Sequence, residues 1–218
     1  MSDSRRERWG PWAGIVFAVL FVVGLSMNNL PSSDDSVAKI TSYYNDSGDR
    51  AQIIIAAYLL FLAGLFFLWF LASLRERLLE VEGAPGRLTS IAVGGGIVFV
   101  PLLMVAAACF ASVAGDVSFG GEDFVSVDGA RFLPELGYPI LLIGGAFAAI
   151  AMIDAASILI VRTGILPVWI GYFGFVAAVL LLAGVVYIPM VLLALWVLAV
   201  SIAMMRTRPA PAAVPPPD

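Results

Sequence analysis

Apolar residues in this chain gather into runs of about 20 positions separated by short polar stretches, the length that crosses the ~30 Å hydrocarbon core of a bilayer. Six runs read as membrane-spanning helices: residues 13–27, 52–72, 90–114, 138–161, 167–186 and 188–205. The last two are separated by argument rather than by a polar gap. Residues 169–205 form 37 positions without a charge, roughly 55 Å as one helix at ~1.5 Å per residue, so the chain must fold back within them. Tyr187-Ile188-Pro189 is the expected turn, because proline has no N–H to donate and tyrosine suits the interface. The predicted fold class is all-α, a polytopic transmembrane helical bundle of six spans with both termini cytoplasmic.

Orientation follows from the basic residues near the span ends. With the N-terminus inside, Arg5, Arg6, Arg8, Arg75, Arg77, Arg87, Arg162, Arg206 and Arg208 are cytoplasmic, against Lys39, Arg50 and Arg131 outside. Trp9, Trp12, Trp69 and Trp169 fall near the same cytoplasmic interface, which agrees with the charge asymmetry. The organisation expected is a cytoplasmic segment 1–11, a transmembrane domain 12–206, and a disordered Pro/Ala tail 207–218. A basic start followed by an apolar run is also the layout of a signal peptide. Ser26-Met27-Asn28-Asn29 offers no small-x-small site and further spans follow, so the first helix is expected to be retained.

The polar stretches predict smaller features. Val37, Ile40 and Tyr44 make an i, i+3, i+7 stripe behind Ser36, which predicts a short amphipathic outer helix near 34–44, packed on the spans by those three side chains. Residues 115–133, with Asp116, Glu122, Asp123, Asp128 and Arg131, read as a solvated loop without the regular acidic spacing of a calcium site. On the inner side the second span is expected to continue as a charged turn or two and to stop at Gly83.

Composition narrows the chemistry. Of 218 residues, 61% are apolar and 13% charged, against ~45–50% and ~25% in a soluble domain. Histidine is absent and cysteine occurs once, at Cys109, which removes His-ligated haem, Cys/His zinc sites, Ser-His-Asp and Cys-His catalysis and dithiol redox motifs. No catalytic residue, metal site, cofactor or nucleic-acid partner is expected, and Cys109 reads as a buried apolar filler. Gly94-Gly95-Gly96, Gly144-Gly145 and the alanines 148, 149, 151, 155 and 156 read as seams where helices approach closely, and Pro101 as a kink in the third span. Asp154 is the one acid well inside a span, roughly 12 Å from Arg162 at ~1.5 Å per residue. It is expected to face the bundle near Gly94–Gly96 as a neutral acid, with Trp196 and Tyr172 as candidate donors, a possible intramembrane polar site.

A basic start into Trp12-Ala13-Gly14, an acidic outer segment ending in Ile40-Thr41-Ser42-Tyr43-Tyr44, and Arg162-Thr163-Gly164-Ile165-Leu166-Pro167-Val168-Trp169-Ile170-Gly171 together resemble a group of uncharacterised actinobacterial six-span integral membrane proteins, a domain of unknown function. The resemblance implies a multi-pass protein of the bacterial plasma (inner) membrane and no substrate, cofactor or catalytic residue. The function expected is that of a non-enzymatic structural or accessory subunit, with the lipid bilayer and a membrane protein partner or a homo-oligomer as its company. The alternative is a small secondary transporter or proton-coupled carrier using Asp154.

Overall fold

Long helices adjacent in the chain run antiparallel, each packed along the next long one. The computed structural model describes residues 3–32, 34–120, 127–182 and 188–207. Their order is α1 (Asp3–Met27), α2 (Val37–Asn45), α3 (Ser47–Glu82), α4 (Arg87–Phe119), α5 (Val127–Pro139), a π-helical segment (Ile140–Gly145), α6 (Ala146–Thr163), α7 (Val168–Leu182) and α8 (Ile188–Arg206). Four stretches are long and apolar enough to cross a membrane: α1, α3, α4 and the continuous helix that ends in α6. α7 and α8 are apolar but shorter, at 15 and 19 residues. The expected turn at Tyr187 and the Pro/Ala tail beyond Thr207 lie outside the described residues.

The long helices form a closed ring in chain order, α1 to α3, α4, α6, α7 and α8, with α8 returning to α1 and α3 touching α6 across the ring. Gly10 lies against Ser73, and Arg77 donates to the Thr207 carbonyl at 2.6 Å, so both ends of the described chain sit at one end of the bundle, called proximal here. The distal end holds α2 and the junctions after Met27 and Phe119. Along the axis Phe17, Phe21, Phe67, Phe70 and Phe99 pack with ring centroids 4.7–6.4 Å apart, all fully buried. Lipid is as apolar as these side chains, so fit and dispersion, not exclusion from water, hold the helices together.

Small residues set the spacing of the ring. A Cβ on Gly95 would stand 2.6 Å from the Ala148 carbonyl oxygen and 2.8 Å from the Met152 amide, so α4 meets α6 backbone to backbone there. The turn between α3 and α4 is equally specific. Gly83 ends α3 at φ +71, as its position predicted, and Gly86 opens α4 at φ +62. Gly86 has no capping side chain, and Glu82 reaches across to accept from the Leu88 and Thr89 amides at 2.8 Å and the Thr89 hydroxyl at 2.7 Å. Desolvation opposes the charged form of Glu82, yet these hydrogen bonds outweigh it and hold the carboxyl below its usual value.

Two sequence expectations are corrected. The helix α4 continues through Pro101, and an irregular, π-helical stretch that the sequence did not announce lies at Ile140–Gly145, directly after Pro139. The stretch 115–133 is mostly helix: α4 extends to Phe119 and α5 begins at Val127, leaving Glu122 and Asp123 outside the described residues. In α2 the Ser36 hydroxyl caps the Lys39 amide as expected, and Ile40 and Tyr44 are buried, but Val37 is 53% exposed. One residue past the cap, Val37 stands at the frayed end of the stripe, and only the second and third positions reach the bundle.

Candidate functional site

Within the membrane-spanning part the sequence singled out Asp154, Trp196 and Tyr172 as one polar site, and the structure does not bring them together. On α7 the inward face is taken by Ile170, Gly171, Gly174, Ala177, Ala178 and Leu181, which turns Tyr172 outward, 60% exposed. Trp196 of α8 is fully buried. Among the described residues its indole N–H has no hydrogen-bond partner, so it does not serve Asp154. On α6 the buried positions include Ala148, Ala149, Met152, Ile153, Ala155, Ala156, Ser157, Leu159 and Ile160, and Asp154 stands outside that arc, partly exposed. Among the described residues its carboxyl makes no hydrogen bond or ion pair. Gly95 lies against Ala148, Ala151 and Met152, the last two within one turn of Asp154, so the expected closeness of the glycine triplet holds while the inward orientation does not.

A different polar group occupies the interior. Where a Cβ on Gly174 would stand, Ser157 Oγ of α6 and Trp196 Nε1 of α8 converge, the latter 2.7 Å from that point. Ser157 is also completely buried, and neither atom has a hydrogen-bond partner among the described residues. Ser201 repeats the arrangement closer to the proximal end, buried and unpartnered against Gly14. Sequence reasoning missed both serines. The only signal was a hydroxyl inside an apolar run, which is frequent in spans because serine ordinarily bonds back to its own helix.

At the distal end, arginines fasten the short helix to the spans. Arg131 donates to the Asp35 carbonyl at 3.0 Å, and Arg50 to the Tyr44 carbonyl at 2.6 Å and to Ser118 Oγ at 3.1 Å. Gln52 donates to the Met27 carbonyl at 3.0 Å, and Lys39 pairs with Asp35 at 2.8 Å on the surface. Burial, with the charges of Asp49 and Tyr138 adding to it, pushes the Tyr43 hydroxyl up to about 12. Burial first, then Tyr43 and Tyr138, raises Tyr44 as well. Both are therefore neutral phenols, and these contacts pack the segment over the distal helix ends. Cys109 is partly exposed, not buried as expected. Among the described residues no three His, Cys, Asp or Glu side chains gather as a metal site. No family model, curated protein or solved structure matches the chain.

Proposed function

We propose that the chain is a six-span protein of the bacterial inner membrane, both termini cytoplasmic, acting as a non-enzymatic structural or accessory subunit of a larger membrane assembly. The observation that carries this reading is the filled axis: five phenylalanines, all fully buried and packed on one another, occupy the place where a carrier would keep a polar path. Orientation draws on the proximal end, which carries Arg75, Arg77, Arg87, Arg162 and Arg206 with exposed Trp12, Trp69 and Trp169, whereas the distal end carries Lys39, Arg50 and Arg131. The carrier alternative rests on one observation, the unpartnered Asp154 carboxyl. Mild detergent extraction of the tagged chain at native abundance tests the two together. A discrete complex with a stoichiometric second membrane protein is expected. Recovery of this chain alone, with proton-coupled flux in reconstituted vesicles that Asp154→Asn abolishes, would replace the accessory reading by the carrier.

A further inference from the structure

Asp154 lies on the outer surface of the bundle. On α6, ahead of its exposed last two residues, the residues that are not buried, Phe147, Ile150, Ala151, Asp154, Ile158 and Val161, recur at spacings of three and four and form one stripe, with the carboxyl near its middle. The remainder of α6 is packed against α3, α4 and α7, which sets this helix back between its neighbours. Beside the stripe the wall of α4 is low. A Cβ on Gly94 would meet nothing within 4 Å, and the adjoining Gly95 already rests on Ala148, Ala151 and Met152. The result is a lipid-facing strip of one helix with a hydrogen-bonding group at its centre and small residues at its edge.

A carboxyl group in hydrocarbon is strongly unfavourable until it finds a partner, and membrane helices with such a group ordinarily bury it against protein. Nothing within the described chain meets it: Trp196 and Ser157 face the interior, and the spans hold no basic side chain. We propose that this face is the interface of a two-fold homodimer in the membrane, with Asp154 of each copy hydrogen-bonded to Asp154 of the other. A carboxylic acid carries one O–H donor beside a carbonyl acceptor, so two of them face to face satisfy each other completely. A two-fold axis places a residue opposite itself, so the pairing needs no chemistry beyond this chain. Gly94 and Ala151 supply the short side chains that let two copies of α6 approach closely enough. The dimer is independent of the accessory role, and a purified chain tests it without any other protein.

The test uses the full chain with Cys109→Ala, reconstituted in lipid vesicles at low protein density. Ile158→Cys on the stripe is expected to cross-link between copies, whereas Val19→Cys, 56% exposed on α1, is not. The protein-to-lipid ratio at half dimerisation, read by energy transfer between labelled copies, is expected to rise at least tenfold for Asp154→Leu. Asp154→Asn should change it less than threefold, because an amide also pairs donor with acceptor. Gly94→Leu fills the approach from a position where an added Cβ meets nothing within 4 Å, so it gives the same tenfold loss even if Asp154→Leu fails to fold. Single-step photobleaching of the unmutated chain, equal cross-linking at 19 and 158, or unchanged dimerisation of Gly94→Leu would overturn the proposal. So would cross-linking of position 158 to a different protein, in native membranes, in place of a second copy.

Discussion

The interior of this bundle depends on a missing methyl. Gly174 leaves the space that Ser157 Oγ and Trp196 Nε1 occupy, and alanine there would press on both. The indole is held by α8 and cannot rotate away, so Gly174→Ala is expected to destabilise the chain by about 1–3 kcal/mol, the range of an overpacked core. Thermal unfolding in detergent checks this, and an unchanged midpoint would mean that the three helices separate there at no penalty. The same residues show what single positions reveal in sequence. The depth of Asp154 follows from counting back from Arg162, since helix rise is constant. Its direction depends on which helices flank α6, and neither the Gly95 contact nor the recess between α4 and α7 is encoded in the spacing of the acid itself.

Elements were legible where local chemistry decides them. The stop at Gly83 and the Ser36 cap both follow from residues a few positions away. The helix from Val127 was hidden because Pro134 and Pro139 lie inside it, and proline argues against helix wherever flanking turns do not absorb the lost N–H. For α2 the burial contrast sets a prediction: Ile40→Ala is expected to destabilise by about 2–4 kcal/mol, as for other buried isoleucines, and Val37→Ala by less than about 0.5. Spin labels should report position 37 as open to water as position 39, and position 40 shielded. At the α3–α4 turn, Glu82→Gln removes the charge from the group that caps α4, with an expected loss of about 1 kcal/mol at neutral pH. The Glu82 carboxyl lies below its usual value in the folded chain, so its contribution is present above the ordinary carboxylate range and is lost as pH falls through the folded value. Stability of the Gln variant should lack that component of acid sensitivity.

At the scale of the whole molecule, the all-helical, apolar character was readable from hydropathy, and the meeting of both described ends at one end of the bundle agrees with the charge asymmetry. The closure of the ring was not readable, because no local pattern states that the last helix meets the first. Reporter enzymes fused after Arg50 and Arg131 are expected to be active only as external domains, and fusions after Gly83 and Thr163 only as cytoplasmic ones. A cytoplasmic result after Arg131 would break the assignment of the two central spans. Ring closure also orders assembly. Each helix from α3 to α8 packs on the helix made just before it, so successive hairpins can form as the chain is synthesised, whereas the side of α1 that carries Gly14 faces Ser201 and stays open until almost 190 further residues exist. Until then the growing protein is a curved sheet of helices with two raw edges. The seam where those edges join is where a chaperone would act, and where a chain stalled before α8 would be recognised as unfinished.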